Sequence, residues 1–346
     1  MPDRDQHHDQ HHDQHHGQDH GQDHDLRLVV ADRSRVADDV VALVLRAPDG
    51  GPLPPWTPGA HVDLVVPGPD GPLVRQYSLC GDPDDATSYR VAVLREPAGR
   101  GGSAAVHAAL LPGTAVAVRG PRNRFVLDPA PEYVFVAGGI GITPVLAMVR
   151  AAVLAGARWH LAYGGRTASS MAFVDEVTAL AAASAGAGEV VLHPLDAGGP
   201  LPVAALVERA AASGAGIWCC GPEGLIEAVE KEGDALGPGR VHVERFRAAT
   251  DPAPQAGDVP FEVEVASHGV TVTVPAGRTA LEVLEEAGVP VLSSCREGTC
   301  GTCEVSVLAG TVDHRDALLT PAERDAHDTM FVCVSRSAGG RLVVEV

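Results

Sequence analysis

Four cysteines near the C-terminus have the types and spacing for one chemistry. Cys295, Cys300 and Cys303 lie in the run SSCREGTCGTCEV, and Cys333 follows on a later segment. A C-x4-C-x2-C cluster with a distant fourth thiolate is the plant-type ligand spacing for a 2Fe–2S centre. Two irons bridged by two sulfides need four thiolates, and three of them come here from a single loop. Gly298 and Gly301, with the small Ser293, Ser294, Thr299 and Thr302, let that loop's backbone approach the sulfurs and donate N–H groups to them. Structural zinc favours paired C-x2–4-C knuckles, and only one such pair occurs. Cys80, Cys219 and Cys220 remain. An odd remainder is not a disulfide framework, and the cytoplasm is the expected compartment.

Upstream motifs are suited to an electron donor. Arg75-Gln76-Tyr77-Ser78-Leu79 closes a β run. An Arg, an aromatic and a hydroxyl at i, i+2 and i+3 suit the phosphate, ring face and ring nitrogen of one flavin, and strand alternation puts Arg75 and Tyr77 on the same side. By itself the run reads equally as an edge strand with a buried tyrosine. Gly99-Arg100-Gly101-Gly102-Ser103 precedes a short helix, with Ser103 as expected N-cap and free N–H groups for a phosphate; an ordinary glycine loop is the plain alternative. Gly138-Gly139-Ile140-Gly141-Ile142-Thr143-Pro144 follows a buried strand and opens a helix, with Thr143 as N-cap and Pro144 in the first turn. This suits a strand–turn–helix site for a pyrophosphate, distinct from G-x-G-x-x-G; a tight turn whose glycines serve packing alone is the plain alternative. Cys220, in Cys219-Cys220-Gly221-Pro222, ends another strand at a carboxyl edge and is the candidate catalytic wall of a nicotinamide pocket. Cys219 should face the opposite side as a core thiol, and two structural cysteines are the competing reading. Phe246, in VHVERF, is placed to stack on a ring between domains or to fill a core.

Three blocks must position these groups. Residues 26–129 carry short Val- and Leu-rich runs with Gly/Pro/Asp punctuation, which predicts a small antiparallel β-barrel with one helical insert at 103–111. Residues 130–248 alternate buried strands with amphipathic helices, the pattern of an open parallel sheet covered on both faces. DPAPQAGD marks a linker at 249–258. Residues 259–346 read as a hairpin, a helix, the cysteine loop and closing strands, a small α+β module. Residues 1–25 repeat His, Asp and Gln, hold eight of the sixteen histidines, and are expected to be disordered.

At 346 residues the chain has room for two or three cores, and aromatics make up only 4%, so Val, Leu and Ala must fill them. No apolar stretch is long enough to span a membrane. The net charge of −19 is uneven: residues 1–25 carry −6 and residues 258–346 carry −8. An acidic electron-transfer module suits a partner with a basic docking patch and argues against nucleic acid, although solubility alone also favours the sign.

Taken together and in order, RQYSL, GRGGS, PRNRF at 121–125, GGIGITP, CCGP, ERF and C-x4-C-x2-C…C resemble the phthalate dioxygenase reductase family, which includes the vanillate O-demethylase reductases. The resemblance spans about residues 26–346. It implies an FMN-binding barrel, a ferredoxin-NADP reductase-like NADH domain and a C-terminal plant-type ferredoxin of β-grasp fold. It implies that Arg75, Tyr77 and Ser78 contact the flavin, with Ser78 near the reactive nitrogen, and that Val93, Leu94 and Arg95 form the strand beside the ring. Gly101, Gly102 and Ser103 would hold the FMN phosphate, Gly139, Gly141 and Thr143 would line the nicotinamide–flavin turn, and Phe246 would lie at the flavin face. NADH is the implied donor, although Asp196 and Arg166 near the ribose do not separate it from NADPH. The implied acceptor is a Rieske-type aromatic oxygenase or O-demethylase. A haem monooxygenase acceptor and a redox-sensing module are the rival readings.

Overall fold

In the computed structural model, residues 25–69, 71–97, 99, 101–247 and 255–346 are described. The His-rich tail up to residue 24, Arg100 and linker residues 249–254 lie outside the described residues. Gln255–Asp258, the end of the linker, are anchored: Asp258 pairs with Arg315 at 2.7 Å.

Strands β1 (Asp25–Ala37), β2 (Val40–Arg46), β3 (Ala60–Val66), β4 (Leu73–Ser78), β5 (Tyr89–Leu94) and β6 (Ala115–Asn123) form an antiparallel sheet in the order β4-β3-β6-β1-β2-β5. Alternate Val and Leu side chains point inward, so Leu43, Val62, Leu64 and Val91 build one core that the sheet must curl around. Curling brings the two edge strands together: Leu79, just past β4, bridges to Val91 of β5. Helix α1 (Gly102–Ala109) caps this core with Val106. It starts one residue before the expected insert and ends two residues sooner. Its N-cap is Gly101, at φ 83°, and not Ser103. The Ser103 hydroxyl instead accepts from the backbone N–H of Glu96 at 3.0 Å, which ties the helix to the chain leaving β5.

The second unit holds β7 (Glu132–Gly138), α2 (Ile142–Leu154), β8 (Arg158–Gly165), α3 (Val174–Ala183), β9 (Gly188–Pro194), α4 (Leu195–Gly198), α5 (Val203–Ser213), β10 (Gly216–Cys220), α6 (Glu223–Gly233) and β11 (Val241–Glu244). All its strands are parallel, in the order β11-β10-β7-β8-β9. Strand alternation sends Phe135 and Ala137 to one face, against α2 and α3, and Val134 and Val136 to the other, against α5 and α6. The chain runs outward from β7 to β9, then returns to β10 on β7's other side. A crevice opens where the order reverses, at the carboxyl ends of β7 and β10. Helix α2 also departs from expectation: its N-cap is Gly141. Thr143 is buried inside the first turn, its hydroxyl donating to the Ile140 carbonyl at 3.0 Å.

Barrel and parallel-sheet unit share a core. Val40, Ala42, Cys80 and Ala92 of the barrel pack in the same cluster as Leu146, Met171 and Phe173. Arg90 of β5 fixes this seam, pairing with Glu176 of α3 at 2.7 Å while its guanidinium lies over the Phe173 ring.

The third unit contains β12 (Phe261–Val265), β13 (Val270–Val274), α7 (Ala280–Glu286), β14 (Glu304–Ala309), β15 (Val312–Asp313), α8 (Pro321–Ala326), β16 (Thr329–Phe331), β17 (Arg336–Ser337) and β18 (Arg341–Glu345). Its main sheet runs β13-β12-β18-β14-β16, with only β12 and β18 parallel. A Thr279–Glu282 capping box starts α7, and Ala280, Leu281 and Leu284 bury against the sheet. This is a β-grasp arrangement, and the cysteine loop lies between α7 and β14.

Candidate active site

One cleft has walls from all three units. The barrel contributes His61, Arg75 and Ser78, the chain leaving β11 contributes Glu244 and Phe246, and the cysteine loop contributes Cys295, Glu297 and Thr299. Ser78 is buried at the end of β4, and its hydroxyl donates to Glu244 Oε2 at 3.5 Å. The Cys220 thiol, fully buried at the end of β10, lies 3.8 Å from the same oxygen. Glu244 therefore links the two groups expected to act on flavin and nicotinamide. Burial raises its carboxyl to about 8, against the smaller lowering effects of Cys220 and Ser78. Burial also pushes the Cys220 thiol far up, reinforced by Glu244, so Cys220 is a neutral thiol and not a thiolate. Cys219 points the other way, into the α5–α6 core, as strand alternation requires.

Arg75 runs across the start of α1. A Cβ on Gly102 would stand 2.5 Å from Arg75 Cγ, so only glycine lets the side chain lie there. Arg75 thus lies against the first turn of α1, the expected phosphate end. Phe246 is 41% exposed at the cleft mouth, with its ring free to meet a planar ligand. Tyr77 is half-buried against the barrel core, and burial pushes its phenol up to about 12. Barrel curl brings β5 beside β4. On it Val93 is in the core, Leu94 is half-buried and Arg95 is exposed.

At the crevice between β7 and β10 the glycines are sterically required. A Cβ on Gly141 would sit 2.2 Å from the Cys220 carbonyl oxygen, and one on Gly138 would sit 2.6 Å from Pro222 Cδ. GGIGIT and CCGP thus meet face to face at the start of α2, where Gly141, Ile142 and Thr143 are buried. Gly139, at φ 55°, has empty space around its Cα.

The cysteine loop gathers its four thiols. The four thiols interact, Cys295 with Cys300 and Cys333, and Cys333 with Cys303. All four are buried and unoxidised. Cys295 is pulled down by Cys300 and Cys333, which are pushed up in turn by the same contacts. The Glu297 N–H donates to Cys295 sulfur at 3.3 Å, and the Thr302 hydroxyl meets Cys300 sulfur at 3.1 Å. Left-handed Gly298 and Gly301 allow the close wrap: a Cβ on Gly298 would strike Val334 and the Asp316 backbone, and one on Gly301 would strike Arg124 of the barrel. Among the described residues, no three His, Cys, Asp or Glu side chains converge as one metal ion would need. Four adjacent thiols with N–H···S donors fit the ligand requirement of a two-iron cluster.

The structure brings Arg75, Ser78, Cys220, Phe246 and Cys295 to one place. Gly102, flanked by Gly101 and Ser103, packs against Arg75 and does not itself line the cleft, and Gly139, Gly141 and Thr143 lie where β7 and β10 part. Glu244 and His61 escaped sequence reasoning. The signal for Glu244 was an acid at the carboxyl end of the last parallel strand, beside Phe246. His61 gave none, being an outward position of a barrel strand. It is 5% exposed, and burial, with Arg122 adding to it, holds its imidazole down at about 4 and so neutral.

Residues 263–338 match the 2Fe-2S iron-sulfur cluster binding domain and residues 135–231 the oxidoreductase NAD-binding domain. Phenoxybenzoate dioxygenase subunit beta of Ectopseudomonas oleovorans is 43% identical over 90% of this chain and 94% of its own. Phthalate dioxygenase reductase of Burkholderia cepacia is 37% identical over 93% and 97%. A solved phthalate dioxygenase reductase, described as a modular structure for electron transfer from pyridine nucleotides to [2Fe-2S], is 36% identical with TM-score 0.65, over 93% of this chain and 98% of that one. The structure of an intact type IV self-sufficient cytochrome P450 monooxygenase is 40% identical with TM-score 0.84, and this chain, 93% covered, spans 41% of it. Among the described residues, no helix is long and apolar enough to cross a membrane.

Proposed function

Because this chain belongs to the family of oxygenase reductases that includes phthalate dioxygenase reductase, we propose that it passes electrons from NADH through FMN and a 2Fe–2S cluster to a Rieske-type aromatic oxygenase or O-demethylase. It is an oxidoreductase, the reductase component of an oxygenase system. The observation that carries the reading is the single cleft in which Ser78, the Glu244–Cys220 pair and Cys295 meet, one group from each unit. FMN there would accept hydride and return single electrons to the cluster, the chemistry that the cofactors supply. The chain's own residues place and shield that chemistry. Arg75 and the start of α1, with Gly101, Gly102 and Ser103, hold the phosphate; Ser78 sits at the reactive edge of the ring. Val93, Leu94, Arg95 and Tyr77 support the ring, and Phe246 covers its face. Gly139, Gly141 and Thr143 seat the dinucleotide, and Cys220 backs the nicotinamide. Cys295, Cys300, Cys303 and Cys333 ligate the cluster.

In this reading residues 26–129 bind FMN, 130–248 bind NADH and 259–346 carry the cluster, joined by the linker at 249–258. The acidic C-terminal unit docks a basic patch on the oxygenase. The three cysteines outside the cluster, Cys80, Cys219 and Cys220, are buried and unpaired, which suits the cytoplasm. The test is steady-state NADH oxidation with purified acceptors. Stimulation by a Rieske oxygenase is expected. Stimulation by a haem monooxygenase and by no Rieske oxygenase would overturn the acceptor in favour of the second reading, which the P450 likeness supports. Rapid single-turnover reduction of the cluster by NADH is expected of a carrier and not of a sensor. Chromatography of heat-released flavin separates FMN from FAD.

A further inference from the structure

Outward positions of a barrel strand normally meet water. On β3, Val62 and Leu64 fill the barrel core, so His61 and Asp63 point out, yet the Asp63 side chain is 0% exposed. Its cover is the cysteine loop of the third unit. Asp63 Oδ1 accepts from Gln76 Nε2 of β4 at 2.7 Å, the residue directly opposite it in the ladder. Asp63 Oδ2 accepts from the Ser294 hydroxyl at 2.5 Å and faces Arg122 Nη2 of β6 at 2.5 Å. Gln76 Nε2 also donates to the Ser294 oxygen at 2.8 Å, closing a triangle around that hydroxyl. The β3–β6 register slips between His61 and Asp63, the kind of irregularity that re-aims a side chain, and Arg122 lies just there. A carboxylate buried on this face needs compensation, and it has two hydrogen-bond donors, Gln76 and Ser294, and an ion pair with Arg122, from three different elements.

Ser294 immediately precedes Cys295, which lines the cleft. We propose that Asp63, with Gln76 and Arg122, is a positioning site that seats Ser294 and so sets Cys295 against the flavin cleft for electron transfer between units. A second anchor, Arg124 to Glu304, lies at the far end of the loop and is partly exposed on both sides, so it steadies the unit without setting Cys295. The step concerned moves one electron from reduced flavin to oxidised cluster and forms no bond, so its rate depends on separation and orientation. The rate of such a step falls steeply with the separation between flavin and cluster, so an outward shift of Cys295 slows it. The proposal rests on the cleft holding the flavin, as described above.

The test uses D63N and S294A holoproteins with flavin and cluster content confirmed by absorbance and by low-temperature EPR. Asparagine keeps the shape of Asp63 and loses its charge; S294A removes the seated hydroxyl and leaves the barrel untouched. In stopped-flow, flavin reduction by NADH is expected to stay close to the wild-type rate, while cluster reduction slows severalfold. The double variant should be no slower than the slower single variant, since all three lose the same contact. Amide exchange across residues 291–299 should rise in both single variants. Wild-type cluster reduction in both fully loaded variants would overturn the proposal. Equal slowing of flavin and cluster reduction would also overturn it, by marking general damage to the barrel. Absence of flavin from the wild-type protein would overturn the reading of the cleft instead. The exchange measurement needs no electron flow, and unchanged protection in both variants would overturn the seat by itself.

Discussion

Replacing Gly141 with alanine adds one methyl group where β7 and β10 part. Gly141 has φ −61° and ψ −5°, ordinary values for any residue, so backbone strain contributes nothing. The methyl would lie 2.2 Å from the Cys220 carbonyl oxygen and 2.8 Å from the Gly221 nitrogen, both backbone atoms that cannot rotate away. Restoring contact means moving two buried segments apart by about 1 Å, which for a close-packed core costs about 3 kcal/mol. For a unit of this size that lowers the melting temperature by roughly 10 °C. The motion also disturbs the crevice proposed to seat the dinucleotide. Gly139, two residues earlier, supplies the control: at φ 55° it has no neighbour within 4 Å, so G139A should cost only the left-handed strain of about 1 kcal/mol. Calorimetry of both variants, with NADH titration, checks the argument. Equal stability losses, or a G141A protein with wild-type melting and NADH affinity, would refute it.

Three other perturbations have defined outcomes. Because Glu244 is raised to about 8, the folded protein keeps a proton that the unfolded chain loses near 4.5. Its contribution to stability is therefore complete below about 4.5 and is lost as pH rises through 8. E244Q removes that component, and melting curves between pH 5 and 9 should fall less steeply than wild type; parallel curves would contradict the burial argument. C300S should abolish cluster assembly and reduction of a one-electron protein acceptor while NADH-driven reduction of a small dye persists, checked by EPR and dye assay. S78A should slow flavin reduction more than it weakens flavin binding, a split that stopped-flow and flavin titration measure.

Much of the fold was legible because it depends on local pattern. Strict alternation in FEVEV and VTVTV does form the β12–β13 hairpin, and the Val/Leu runs before residue 124 do curl into one sheet. The helix starts were less legible. Ser103 and Thr143 are good cap residues by type, but the helices begin earlier because Gly101 and Gly141 take the positions that packing demands. The Thr143 hydroxyl is then consumed inside the first turn.

The spacing of Cys295, Cys300, Cys303 and Cys333 by itself determined that electrons pass through a two-iron cluster, since ligand number and loop length are covalent facts. The order of RQYSL, GGIGITP and CCGP carried a resemblance to flavin- and nicotinamide-dependent reductases, and the donor was implied by that resemblance. What the tertiary structure alone decided is where these parts meet. Glu244 lies 166 residues from Ser78 in sequence and Ser294 lies 231 from Asp63, yet each pair is in contact. No local periodicity encodes such a pairing. It arises because the barrel, the parallel sheet and the β-grasp unit bury one another's polar faces, which turns outward residues of an isolated strand into the lining of a shared cleft.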